Sequence, residues 1–453
     1  MQTDFLPELL ADPQMRESER IIHSCVHCGF CTATCPTYLL LGDERDSPRG
    51  RIYLMKEMLE KNLPATPEVV THIDRCLSCL SCMTTCPSGV NYMHLVDHGR
   101  AHIEKTFRRP LVDRVLRTVL AKTLPFPGRF RAALMLGSLA APLRPLFGAT
   151  AALRPVAAML GLAPGAPPRA APPPPVAGAE GEERGRVALL RGCVQSVLAP
   201  GINAAAVRLL NRAGVSVFAV PGEGCCGALV HHLGREDEAL AFARANVDAW
   251  TRAIEAHRLD AILVTASGCG TMLKDYGFML REDAAYAGKA ARVSALAKDI
   301  SEYLAAIGLP PAAIATGQAV TYHSACSLQH GQQIRDELKA LLRAAGFKVK
   351  DVPEGHICCG SAGTYNILQP ALSAGLRDRK AANIAKTAPA VVAAGNIGCI
   401  TQLKGAVGAP VVHTVELLDW ATGGPVPPGF DPDARPAVGP LAASTPPTPA
   451  PAL

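Results

Sequence analysis

Aromatic residues make up only 5% of this 453-residue chain and charged residues 19%, with a formal net charge of +6. Nucleic-acid recognition needs a basic cluster interleaved with aromatics; none is present, so no nucleic-acid partner is expected. No run of about 18 uninterrupted apolar residues occurs, which leaves no candidate spanning helix. The start, MQTDFLPELL, carries an aspartate and a glutamate where a secretory leader would carry lysine or arginine, so a cytoplasmic location is expected. No GxxxxGKS/T phosphate loop exists, and the sequence is read as lacking a GxGxxG dinucleotide turn as well, so no nucleotide or flavin is expected on this chain.

Acidic residues are absent from Arg114 to Ala179, while Arg114, Arg117, Lys122, Arg129, Arg131, Arg144, Arg154 and Arg169 all fall there. Within this block Leu111, Val115, Leu116, Val119 and Leu120 recur at helical spacing, predicting a basic amphipathic helix. Two readings stand side by side: a surface that meets a membrane or a partner, and a connector packed on its own domain.

What the chain has in quantity is cysteine, 16 residues. In a reducing compartment these read as metal ligands or redox thiols rather than a disulfide framework. Eight form two copies of one spacing, Cys25-x2-Cys28-x2-Cys31-x3-Cys35-Pro36 and Cys76-x2-Cys79-x2-Cys82-x3-Cys86-Pro87. This is the bacterial ferredoxin run for 4Fe-4S cubanes, in which the fourth cysteine serves the other cluster. The expected ligand sets are therefore Cys25, Cys28, Cys31 and Cys86 for the first cluster, and Cys76, Cys79, Cys82 and Cys35 for the second. Zinc prefers two separated CxxC pairs, and fits this spacing less well.

The remaining eight cysteines repeat. Cys193, Cys225 and Cys226 map onto Cys326, Cys358 and Cys359 at one constant offset, and Cys269 and Cys399 each follow an apolar, β-branched run. Each copy alternates strand and helix, as a parallel sheet flanked by helices does. Loops at the carboxyl ends of such strands converge. That predicts two four-sulfur sites, Cys193, Cys225, Cys226 and Cys269, and Cys326, Cys358, Cys359 and Cys399, open to a further cluster, to zinc, or to packing as small buried hydrophobes. Helix N-termini beside these turns are expected to lower the thiol pKa values. His231, His232, His323, His330 and His356 lie near them in sequence and are read as satisfied polar residues rather than ligands.

The fold class expected is α+β, a helical ferredoxin-like domain followed by two α/β Cys-Cys-Gly modules. The segments are 1–110 for the two clusters, 111–163 for the basic helical block, 164–185 for a Pro/Ala-rich linker, 186–300 and 301–424 for the two modules, and 425–453 for a disordered Pro-rich tail.

The runs CVHCGFCTATCPTY from Cys25, PRGRIYLMK from Pro48, DRCLSCLSCMTTCPSGV from Asp74, TASGCGTMLKDYG from Thr265, ACSLQHGQQIR from Ala325 and CCGSAGTYNILQP from Cys358 resemble the iron-sulfur subunits of bacterial glycolate oxidase. These sit in a broader family with the third subunit of anaerobic glycerol-3-phosphate dehydrogenase, lactate-utilisation proteins and heterodisulfide reductase subunits. The resemblance implies electron transfer from flavin-bearing partner subunits that oxidise glycolate, FAD staying on those partners, toward a quinone or other membrane acceptor at the inner face of the cell membrane. Alternatives are the same role for L-lactate or glycerol 3-phosphate, a thiol-disulfide enzyme of heterodisulfide-reductase type, or an adaptor whose repeats only dock the flavoprotein. The heterodisulfide pattern ends in CxxC where this chain has Ala266-Ser-Gly-Cys269 and Asn396-Ile-Gly-Cys399, so each module is one sulfur short.

Overall fold

The computed structural model describes residues 1–150, 153–162, 168, 174–314 and 316–433. Residues 164–167 and 169–173 of the expected linker, Arg169 among them, and 434–453 of the Pro-rich tail lie outside these residues.

The N-terminal part is helical. Pro13–Ser24, Pro48–Glu60, Pro67–Asp74 and Tyr92–Thr106 pack around a core that includes Ile22, Met55, Ile73 and Leu95. Proline at the first turn and a capping side chain start three of them, with Asp12, Ser47 and Thr66 accepting the backbone N–H of Gln14, Gly50 and Val69. These helices hold the two cysteine loops at their ends.

After further helices between Leu111 and Leu162, the chain forms two small sheets flanked by helices. The first contains β1 (Val176–Ala177), β2 (Gly185–Leu189), β3 (Val215–Phe218), β4 (Ala261–Val264) and β5 (Ala297–Asp299) in the order β1-β3-β2-β4-β5. The second contains β6 (Ala319–His323), β7 (Lys348–Asp351), β8 (Val391–Ala394) and β9 (Val411–His413) in the order β7-β6-β8-β9. Apart from antiparallel β1 the ladders are parallel, and the two orders superpose strand for strand. Helices cover both faces, and the central strands β4 and β8 are buried at every position. One core joins the sheets, running from Val187 and Leu209 to Val320, Leu342 and Leu418.

Two local expectations change. The end of the Pro/Ala-rich linker does join a sheet, since Val176 and Ala177 pair with Phe218 and Val217 and protect an edge. The apolar stripe of the basic block divides: on the helix Leu111–Thr123, Leu116 and Leu120 are buried, whereas Leu111, Val115 and Val119 face outward. Arg117 on that helix is no surface cation. It is buried against Asp74, 2.8 Å away, and Asp113, 2.9 Å away.

Candidate iron-sulfur and thiol sites

The two ferredoxin-type loops share a backbone. His27 and Gly29 in the first, Ser78 and Leu80 in the second, occupy the second and fourth positions after the leading cysteine and all have left-handed φ, between 49° and 87°. This winds each loop tightly enough to turn three cysteines inward, and the non-glycine residues hold a strained conformation that recurs at functional loops. One cavity is lined by Cys25, Cys28, Cys31 and Cys86 together with Cys82; a second, beside it, by Cys35, Cys76, Cys79 and Cys82.

The two cavities differ in exposure. Cys28 is exposed and is flanked by Val26 and Phe30, 68% and 63% exposed. The second cavity is lined mostly by buried residues, with a buried cation behind it. Arg51 donates to His72 O (2.7 Å), Thr37 Oγ1 (3.0 Å) and Asp46 Oδ1 (3.2 Å), and its Nη1 lies 3.8 Å from Cys35 Sγ. Ser78 N–H donates to Cys76 Sγ at 3.4 Å. These donors suit thiolates carrying cluster charge. Without metal the thiols resist ionisation: burial pushes Cys79 and Cys82 well above the usual thiol range and Cys31 up to about 11. Metal binding would displace those protons.

Each repeat brings its four sulfurs together at the carboxyl ends of its strands. In the first, Cys193 and Cys225 are 3.4 Å apart, and the thiol of Cys226 neighbours those of Cys225 and Cys269. In the second, the free thiol of Cys358 neighbours those of Cys326 and Cys359, and Cys359 neighbours Cys399. The Cys-Cys-Gly turns are superposable: Gly227 N–H donates to Cys225 Sγ and Gly360 N–H to Cys358 Sγ, both at 3.4 Å. The glycines have φ of +87° and +86° and lie against the helix behind, where a Cβ would meet Ala239 O or Ser373 O. A lowering of the thiol pKa is found at Cys225, through hydrogen bonds shared with Cys193 and Cys226. Cys193, Cys226 and Cys326 are instead pushed well up, by sharing protons with neighbouring thiols and by burial.

The letters Gly222-Glu-Gly224-Cys-Cys-Gly227 do form a GxGxxG between β3 and a helix, contrary to the sequence reading. That helix, Ala228–His232, has five residues, and the turn before it is filled by two buried thiols rather than open to a pyrophosphate. It is a cysteine turn.

Several histidines join the domains. His330 meets Thr84 Oγ1 (2.7 Å) and His356 O (3.2 Å), and Tyr365 donates to Arg75 O (3.1 Å), so the second module clasps the loop of the second cavity. Cys79 and Leu77 there pack directly on Cys326 and Cys358. His231 and His232 face Asp97, each at 3.4 Å, and His94 bonds Asp275 at 2.8 Å, joining the first module to the helix Tyr92–Thr106. His356 is exposed.

His323 departs from the satisfied-polar reading. It is 1% exposed, neither ring nitrogen has a hydrogen-bond partner, and one lies within 4.8 Å of the sulfurs of Cys359 and Cys399. Burial holds it neutral, drawing its pKa down to about 3. Sequence offered one signal for it: at the constant offset of the cysteines, the first module has Leu190.

Comparison with known proteins follows these divisions. A 4Fe-4S dicluster domain model matches residues 21–90, and a cysteine-rich domain model matches twice, at 187–274 and 320–404. The N-terminal domain is thus a two-4Fe-4S domain and the modules are a true repeat. The chain is 26% identical over 242 residues to lactate utilization protein A of Bacillus licheniformis, covering 52% of this chain and 99% of that one. It is 32% identical to the probable glycolate oxidase iron-sulfur subunit of Bacillus subtilis, covering 90% of this chain and 96% of that one. To the glycolate oxidase iron-sulfur subunit of Escherichia coli it is 44% identical over 421 residues, 93% of this chain and 99% of that one. With matches of this length and identity, the chain belongs to the family of glycolate oxidase iron-sulfur subunits.

Proposed function

We infer that this chain transfers electrons within a glycolate-oxidising complex whose flavin sits on partner subunits. The observation that carries the reading is the pair of adjacent four-cysteine cavities, one open at Cys28 and one enclosed. Cubanes accept one electron at a time, whereas removing a hydride from a 2-hydroxy acid calls for a two-electron acceptor such as a flavin. The carbon chemistry therefore belongs to the partner, and this chain is inactive alone.

In this reading Cys25, Cys28, Cys31 and Cys86 ligate the first cluster, and Cys76, Cys79, Cys82 and Cys35 the second. The flavoprotein meets the exposed rim of Val26, Cys28 and Phe30. Electrons leave toward a quinone or other membrane acceptor. Among the described residues no helix is long and apolar enough to cross a membrane. Contact with anionic lipid is assigned to the outward Leu111, Val115, Val119, Leu136 and Leu139 with Arg114, Arg129 and Arg144. Each such cation contributes about 1 kcal/mol near the surface, so the contact weakens in salt.

The test is reconstitution. Pure chain should give no glycolate-dependent dye reduction and should restore it on addition of the flavoprotein subunits; activity of the pure chain would sink the reading. Cys35→Ser should remove the spectroscopic signal of the enclosed cluster, and a loss confined to the exposed cluster would refute the crossed ligand sets.

A further inference from the structure

The second module places a nitrogen donor among its thiols. His323 ends β6 with its imidazole sealed from water, and an imidazole stripped of both hydrogen bonds costs about 1–3 kcal/mol per lost partner. Its surroundings supply sulfur instead: Cys359 and Cys399, all three ligand atoms lying within 4.8 Å of one another. Cys358, next to Cys359 in the thiol row, lies outside this group of three and is the nearest further sulfur on the same turn. In a tetrahedral site with bonds of about 2.0–2.3 Å, neighbouring ligand atoms stand roughly 3.3–3.8 Å apart. A cubane gives each thiolate its own iron and spreads the ligands further.

We propose that the second module holds a single divalent ion of the zinc class, bound by His323, Cys359 and Cys399, with Cys358 supplying the fourth position. Three thiolates, a neutral imidazole and a dication sum to one negative charge. A buried ammonium answers it: Lys380, 1% exposed and held by Glu354 O at 2.9 Å, faces Cys326, Cys358, Cys359 and Cys399. The first module, with Leu190 where His323 stands, lacks the nitrogen and holds no such ion. The site lies beside the enclosed cavity through Cys326, Cys358 and Cys79, where a redox-inert ion would fix the wall of that cavity without taking electrons.

The test uses the full chain, purified anaerobically with both clusters loaded. Metal analysis should return about eight irons and about one zinc. The zinc-edge absorption spectrum should contain both nitrogen and sulfur neighbours, and cobalt exchanged into the site should give tetrahedral bands with sulfur-to-metal charge transfer. His323→Leu, which installs the residue of the first module, should lose zinc to a chelator at least about tenfold faster with iron unchanged. Wild-type protein with no zinc, iron well above eight, a sulfur-only zinc spectrum, or equal zinc retention by the variant would each overturn the proposal. The wild-type spectra decide the matter even where the variant folds poorly.

Discussion

In the first module the strand behind the cysteines gives way to Leu190, and the helix packed on Gly227 presents Asn246, which donates to Cys225 O at 2.9 Å. In the second, the strand ends in His323, and the helix packed on Gly360 presents Lys380, which donates to Glu354 O at 2.9 Å. Asn246 and Lys380 each follow by seven residues the one that contacts the turn glycine, Ala239 or Ser373, so they occupy the same buried place. Strand order, turn and thiol row are common to both; donor type and charge are not. The cysteine frame alone does not set the chemistry of these modules. The residues behind it decide whether the thiol row meets a neutral wall or a cationic wall with a free imidazole.

The sharpest difference expected is steric. An alanine Cβ at Gly360 would lie 2.5 Å from Ser373 O, and at Gly227 3.3 Å from Ala239 O, with φ near +87° in both. The shared strain costs about 1–2 kcal/mol, and only Gly360→Ala adds a backbone clash worth about 1–3 kcal/mol more. Chemical denaturation should rank Gly360→Ala below Gly227→Ala; equal losses would mean that the two turns are interchangeable.

Next comes the buried polar position. Lys380→Met removes one of the donors to Glu354 O, which keeps the Ile357 N–H, whereas Asn246→Leu leaves Cys225 O without its donor and Gly224 N–H without its acceptor and should cost about 1–3 kcal/mol. Their effects on metal should differ. Lys380→Met also removes the charge facing four thiols and should weaken metal retention in the second module, whereas Asn246→Leu should leave metal content unchanged. Loss of metal in both variants would erase the distinction.

The smallest effect expected is in pH response, where the two interfaces with the N-terminal domain have opposite sign. His231 is buried, which opposes its charge, but facing Asp97 it is held above its ordinary pKa; His232, Arg100, Asp275 and Glu236 share that environment. Its contribution is complete below about pH 6.5 and is lost as pH rises through the raised value. Asp97 is itself held far below the carboxylate range and stays charged throughout this window. His330 is instead drawn to about 4 by burial, near His356 and Arg335, so the interface it makes loses stability as pH falls from about 6.5 toward 4. Hydrogen exchange corrected for intrinsic rates should show residues 327–331 loosening on the acid side, near pH 5, and residues 228–232 loosening on the alkaline side. Movement of both in one direction would remove this contrast.

Most of the frame was legible in the sequence because cysteine spacing and strand–helix alternation are local patterns. The features that distinguish the modules were not, because each depends on a distant partner. Arg117 reads as one more cation of a basic block until Asp74 is found against it. The edge strand Val176–Ala177 is two residues long, too short for any periodicity. Histidine beside a turn is usually satisfied, and only burial of both nitrogens of His323 separates it from His330, which has its partners. The GxGxxG letters at Gly222 misled in the other direction, since the spacing says nothing about which atoms fill the turn.

The clasp on the enclosed cavity also sets an order of events in synthesis. The loop carrying Cys76 is made early, yet the hydrogen bond from Tyr365 to Arg75 O spans 290 residues and that from His330 to Thr84 spans 246. At about 5–20 residues per second, the ribosome takes roughly 15–60 s to supply Tyr365 after Arg75 has emerged. During that interval the nascent cysteine loops stay uncovered, open to the carriers that deliver iron and sulfide and equally open to oxygen. Release of the second module from the ribosome then closes the loading window.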